Sequence, residues 1–152
     1  MNQAPSAPGI PPLDLRVTAA EPAGRDTRLI QLAHADGSPL PAAAAGAHIA
    51  LRLPNGLDRQ YSLLSSDPAP THYEIAVKKE AGGRGGSAFV HDSLAVGDTV
   101  AALPPRNDFP LREDVALSIL IGGGIGITPL LAMAGRLTEL GRAFRFHAAF
   151  RS

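Results

Sequence analysis

The sequence predicts an antiparallel β-barrel followed by the first βαβ unit of an α/β domain. Three observations carry that prediction. Apolar and polar residues alternate with a period of two in several short runs between Leu13 and Leu103, and turn-forming residues separate the runs. The 16 Gly and 14 Pro make up about a fifth of the 152 residues, which favours short strands and tight turns over a helical bundle. Past residue 114 the periodicity changes: an apolar strand runs into Gly122-Gly123-Gly124-Ile125-Gly126-Ile127-Thr128-Pro129 and from there into a helix.

Taken in order, residues 1–12 hold four prolines and no charge and are expected to be a loose leader. Leu13, Leu15 and Val17 alternate with Asp14, Arg16 and Thr18 to give a first strand, and Thr27–Leu32 gives a second. His48–Leu53 places Ile49, Leu51 and Leu53 on one face; Arg59–Leu63 and Tyr73–Lys78 follow the same habit. The turns between them are read from Asp36-Gly37-Ser38-Pro39, Pro54-Asn55-Gly56, Ser66-Asp67-Pro68 and Val96-Gly97-Asp98. A short helix is expected after Gly86, with Ser87 as its cap and Phe89, Val90 and Leu94 facing inward. Asp98–Leu103 is the next strand, and Pro104–Asp114, bracketed by Pro104, Pro105 and Pro110, reads as a linker. The strand Ala116–Ile121, a helix from Pro129 to Leu140 capped by Thr128 and stopped by Gly141, and the alternating Phe144, Phe146, Ala148, Phe150 complete one βαβ unit. The division is a leader (1–12), a barrel (13–110) and the start of an α/β domain (111–152). Only 23 residues follow Pro129, and parallel sheets are buried on both faces, so the chain is expected to be a fragment of a longer protein.

Composition excludes several function classes. Net charge is zero and no basic run exceeds Lys78-Lys79, which argues against nucleic-acid binding. The absence of cysteine rules out disulfides, thiol nucleophiles and thiolate-held clusters within these residues. The five His show no metal-ligand spacing, so no metal site is expected. Without a long apolar span or signal peptide, the chain reads as soluble and cytoplasmic, with no membrane partner.

Three segments carry candidate chemistry. The glycine turn at 122–129 presents bare backbone N–H groups and a helix N-terminus, which suit a phosphate or a flat ring. It fails the dinucleotide fingerprint G-x-G-x-x-G, because the last position falls on Ile127 or Pro129. The other reading is a turn that needs glycine only for its backbone, although four glycines in five residues exceed that demand. Arg59-Gln60-Tyr61-Ser62-Leu63 offers a guanidinium, a ring and a hydroxyl within one strand, with Arg59, Tyr61 and Leu63 on one side and Ser62 on the other. Its plainer reading is a strand with one exposed Arg and a half-buried Tyr. Gly82-Gly83-Arg84-Gly85-Gly86-Ser87 reads either as an anion nest to which Arg84 adds charge, or as a flexible hairpin loop. Together the three describe one nucleotide-like cofactor lying between two domains.

These motifs occur in a recognisable order: Arg59-Gln60-Tyr61-Ser62-Leu63, Ile75-Ala76-Val77-Lys78-Lys79, Gly83-Arg84-Gly85-Gly86-Ser87, Pro105-Arg106-Asn107-Asp108-Phe109 and Gly123 to Pro129. From Leu13 to Ser152 the chain resembles the phthalate dioxygenase reductase family, which includes vanillate O-demethylase reductases, within the ferredoxin–NADP reductase superfamily. The resemblance implies a Greek-key, flavin-binding barrel, an NAD-binding α/β domain and a C-terminal [2Fe–2S] domain. It implies FMN in preference to FAD, with Arg59, Tyr61, Ser62 and Leu63 on the strand that lines the flavin and Arg59 near its phosphate. Ala76, Val77 and Lys78 would border the ring, and Gly85, Gly86 and Ser87, beside Arg84, would hold the phosphate. Thr128 would touch the ring from the second domain, while Gly123, Gly124 and Gly126 would admit the nicotinamide and pyrophosphate of NAD(P)H.

The implied activity is that of a flavin-dependent NAD(P)H oxidoreductase serving aromatic-compound degradation. Electrons would pass from NAD(P)H through FMN to an iron–sulfur centre and a Rieske-type oxygenase or demethylase. The partners would be NAD(P)H and a terminal oxygenase component or ferredoxin-like domain, with [2Fe–2S] held only outside this chain. Hydride transfer to flavin needs no side-chain acid or base, so no catalytic residue is expected. The unfinished βαβ unit sustains a different reading, a truncated, non-catalytic flavin-binding module.

Overall fold

The computed structural model describes residues 11–150; most of the expected leader, and Arg151 and Ser152, lie outside them. Six antiparallel strands come first: β1 (Leu13–Pro22), β2 (Thr27–His34), β3 (His48–Arg52), β4 (Asp58–Ser62), β5 (Tyr73–Lys78) and β6 (Thr99–Arg106). Helix α1 (Gly86–Asp92) sits between β5 and β6. The strands lie in the order β4-β3-β6-β1-β2-β5, so β2-to-β3 and β5-to-β6 are the long crossings of a Greek key. The sheet curls until its two ends meet at an isolated Leu63–Ile75 bridge and a Leu64 N–H to Glu74 carbonyl bond of 3.0 Å. It is barrel-like but not closed. The alternation read from the sequence fills its interior with Leu15, Val17, Ile30, Leu32, Ile49 and Leu51, each at most 1% exposed.

Beyond β6, the strand β7 (Leu117–Gly123), a 3-10 turn (Gly124–Ile127), helix α2 (Thr128–Glu139) and strand β8 (Ala143–Ala149) form the βαβ unit. β7 and β8 pair in parallel, in register from Leu117–Ala143 to Gly123–Ala149. α2 covers one sheet face and builds a second core from Leu120, Leu130, Ala132, Met133 and Leu137. The other face is bare: Leu117, Ile119 and Ile121 are 46%, 59% and 73% exposed.

Three local expectations are corrected. Pro104 and Pro105 belong to β6 rather than to a linker. Opposite them β3 pairs His48 with Arg106 and Ala50 with Leu103, so β6 carries one extra residue, and a bulge spares prolines a ladder N–H they lack. Ser87 is not the cap of α1; that position is Gly85, at φ +85°. Thr128 is likewise inside α2 rather than its cap, because the 3-10 turn leads straight into the helix through Ile127 in helical conformation.

Candidate functional site

The cleft of interest is the place where the barrel fails to close. β4 pairs only with β3 and β5 only with β2, and past the Leu63–Ile75 bridge the two edges separate. Arg59, Gln60, Tyr61 and Ser62 line one edge of the gap, with Ala76, Val77 and Lys78 on the other. The glycine loop and first turn of α1 (Glu80, Gly83, Arg84, Gly86, Ser87) form a third wall, and Ile125, Gly126, Thr128 and Pro129 a fourth. The cleft is open to solvent and has a volume of about 520 Å³, within the range of small-molecule sites.

Helix α1 is only seven residues long and is held by its C-terminal end. Arg28 on β2 donates from Nη1 to the carbonyls of Val90 (2.7 Å), Leu94 (2.9 Å) and His91 (3.2 Å), satisfying groups the helix leaves open. His91 Nε2 donates to the Val77 carbonyl at 2.7 Å, and Lys79 Nζ bonds Asp92 at 2.7 Å. The N-terminal end, whose first N–H groups have no intrahelical acceptor, is thereby presented to the cleft. The Glu80 N–H donates to Ser87 Oγ at 3.0 Å and closes the glycine loop around that end.

The Arg59 side chain lies against this end. Its Nη1 donates to the Asp58 carbonyl at 2.7 Å and its Nη2 to the Arg84 carbonyl at 3.3 Å. A Cβ added at Gly86 would lie 2.5 Å from Arg59 Nε and 2.9 Å from its Cγ, so glycine is what allows the guanidinium to lie against the helix. The Asp58 carboxylate is occupied elsewhere: Arg52 binds both its oxygens at 2.7 Å and holds its carboxyl below the usual carboxylate range. Arg59 therefore forms no ion pair among the described residues. With Lys78 and Arg84 against Glu80 alone, the cleft lining carries excess positive charge. Tyr61 is half-buried between barrel core and cleft, and burial pushes its hydroxyl pKa up while Arg59 pulls the other way.

The second lobe's wall begins at the glycine turn, whose glycines differ in role. A Cβ at Gly122 would meet Leu130 Cδ1 at 2.7 Å, so that glycine serves packing. Gly126 faces open space and lines the cleft. Thr128 is 7% exposed, and its Oγ1 donates to the Ile125 carbonyl at 3.1 Å. Eleven of the expected site residues thus line one cleft, while Leu63, Gly85, Gly123 and Gly124 do not. Leu63 turns into the barrel core at 1% exposure, and Gly85 supplies the left-handed backbone that starts α1. Gln60, Glu80, Gly83, Ile125 and Pro129 line the cleft without having been singled out; all but Glu80 lay inside the quoted motifs. No three of His, Cys, Asp or Glu gather at metal-binding geometry among the described residues, and no helix there is long and apolar enough to cross a membrane.

The family described as the oxidoreductase FAD-binding domain matches residues 14–110, nearly all of the barrel. The chain belongs to the oxidoreductase FAD-binding domain family. Within it, the chain is 44% identical over 140 residues to vanillate O-demethylase oxidoreductase of Pseudomonas sp. (strain HR199 / DSM 7063), covering 92% of this chain and 44% of that one. It is 42% identical over 136 residues to phthalate dioxygenase reductase of Burkholderia cepacia, covering 89% and 42%. A solved phthalate dioxygenase reductase, described as a modular structure for electron transfer from pyridine nucleotides to [2Fe–2S], superposes with TM-score 0.89 at 41% identity over 93% of this chain and 44% of that one. The chain spans less than half the length of these relatives. The family resemblance read from the motifs and the flavin-binding, barrel-plus-βαβ architecture both hold.

Proposed function

We propose that this oxidoreductase domain holds FMN in the cleft at the open edge of the barrel and accepts electrons there from NAD(P)H. The observation that carries the reading is Arg59, which forms no ion pair among the described residues and is laid against Gly86 at the start of α1. FMN is favoured over FAD because Arg59, Arg84 and the first-turn N–H groups of α1 gather at one end, an arrangement suited to a terminal phosphomonoester. Residues 13–110 act as the FMN domain, and 111–152 as the beginning of the pyridine-nucleotide domain.

In this reading bound flavin supplies two-electron acceptance and stepwise one-electron release. Arg59, Arg84, Gly86 and Ser87 hold its phosphate, and Gly85 sets the backbone that aims those groups. Tyr61 and the edge of β5 at Ala76, Val77 and Lys78 flank the ring and exclude water from it; Ser62 offers its hydroxyl to the ring edge. Thr128 and Gly126 form the wall that nicotinamide approaches, with Gly123 and Gly124 shaping the turn behind. A [2Fe–2S] centre, held outside this chain in a further domain or partner, would supply the one-electron transfer onward to a terminal oxygenase. The test is to add FMN to the purified chain, desalt it and record the visible spectrum. A retained flavin spectrum, with weaker retention of FAD, is expected, and its absence overturns the reading.

The uncovered face of β7 and β8 favours a second reading, a flavin-binding module with no pyridine-nucleotide oxidation. Stopped-flow mixing of NADH with the FMN-loaded chain separates the two: fast bleaching supports the reductase, and a stable oxidised spectrum supports the module.

A further inference from the structure

Behind the cleft the two lobes meet at a seam. Ala45, in the loop before β3, is 5% exposed and packs in the core of the second lobe with Met133 and Leu137. Gly46 follows at φ +94°; a Cβ there would collide with the Phe109 carbonyl oxygen and lie 3.0 Å from Met133 Cε. Asn107 stitches the same contact: its Nδ2 donates to the Ala45 carbonyl at 3.0 Å, and its Oδ1 accepts the Phe109 N–H at 3.1 Å. None of these residues lines the cleft.

Short rigid routes nevertheless link the seam to both cleft walls. On the barrel side the Ala47 carbonyl accepts the Leu63 N–H at 2.9 Å, next to Ser62, and His48 pairs with Ser62 across β3 and β4. On the other side Met133 and Thr128 belong to the same helix, α2. We propose that this seam sets the separation between the Ser62 wall and the Thr128 wall, with Gly46 and Asn107 as positioning residues for a flavin ring held between them. The ligand rests on the flavin reading above; the geometry does not. Close-packed interiors transmit a displacement rather than absorb it, so an atom inserted at Gly46 pushes Phe109 and α2 away from β3 and opens the cleft on its far side. A misplacement of about 1 Å is enough to weaken binding and transfer across such a gap.

The chain contains no cysteine, so Val96→Cys on the barrel and Glu139→Cys on α2 give two unique, exposed labelling positions. Spin-label distances are measured on the whole chain without flavin, in the parent, Gly46→Ala and Asn107→Ala backgrounds, and each background is then titrated with FMN. The expected result is a shifted or broadened interlobe distance in both variants and an FMN Kd raised about fivefold to tenfold. Distances that superpose on the parent's, or shifted distances with unchanged FMN affinity, overturn the proposal. If Gly46→Ala does not fold, Asn107→Ala and Met133→Ala decide the matter, since each removes a contact without adding an atom. Failure of the parent to bind FMN would defeat the flavin reading, and the flavin-free distances would still judge the seam.

Discussion

Arg59 and Gly86 form a pair whose roles separate cleanly by substitution. Arg59→Ala removes a cation that no carboxylate pairs with among the described residues, so FMN affinity is expected to fall about tenfold to a hundredfold while the fold is unaffected, as measured by flavin fluorescence titration. Gly86→Ala acts in opposite directions on stability and binding. Alanine is the better helix former, although at the first position of α1 the gain is small, and its Cβ displaces Arg59. Retained or raised thermal stability with weaker FMN binding is expected; equal FMN affinity would remove the Arg59–Gly86 contact from the site. Tyr73 supplies a pH test. Its hydroxyl is buried and donates to the Pro41 carbonyl at 2.6 Å, and burial pushes its pKa up to about 12 from an ordinary value near 10. Above the ordinary value the unfolded chain releases this proton and the folded chain keeps it, so stability is lost as pH rises from about 10 to 12. Tyr73→Phe should flatten that part of a stability-versus-pH curve from urea denaturation, and an unchanged slope would count against it. Arg59, Tyr61 and Ser62 were legible because three different binding chemistries fall in one short strand. Leu63 was not, because alternation predicts a face and cannot tell where that face passes from open cleft to closed core.

Helix α1 illustrates what sequence periodicity reveals about elements and what it hides. Its existence, its inward Val90 and the buried Leu94 just past its end follow from spacing, whereas its anchor, Arg28, lies 62 residues before Val90 and gives no local signal. The same limit applies to β6, where two prolines imitate a linker because the bulge that tolerates them exists only in the pairing with β3. Both caps were misassigned for a related reason: Ser87 and Thr128 are good cap residues by type, but a left-handed glycine and a 3-10 turn had already started each helix. Arg28→Ala leaves the part-buried carbonyls of Val90 and His91 in α1, and of Leu94 just past it, without their donor and is expected to destabilise the chain by about 1.5–3 kcal/mol in urea denaturation. Because α1 carries one cleft wall, FMN affinity should fall with it, and Arg28→Lys should restore only part of both losses, since one ammonium does not reproduce the guanidinium's geometry. Full rescue by lysine would mean that charge alone secures the helix.

At the scale of the whole molecule, the order barrel, glycine turn, βαβ unit was readable because the hydrophobic period changes between residues 103 and 116. The cleft between the lobes was readable only as a coincidence of motifs, since its width depends on packing behind it. The bare outer face of β7 and β8 has a direct physical consequence. Leu117, Ile119 and Ile121 point away from α2 and line up on one strand, near Phe109 at 55% exposure and flanked on β8 by Ala143, Arg145 and His147, so water meets an apolar stripe on a parallel sheet that ordinarily would be covered on both faces. The chain in isolation is therefore expected to self-associate as its concentration rises, apolar face to apolar face. Ile121→Glu places a charge at the most exposed end of that row, at a site 73% exposed, where substitutions change stability by no more than about 0.5 kcal/mol. Sedimentation velocity over a concentration series should show the parent associating and the variant remaining monomeric, with the same melting temperature for both. Parent and variant associating alike would place the contact elsewhere, and a lowered melting temperature in the variant would show that Ile121 packs within the folded chain instead of facing solvent.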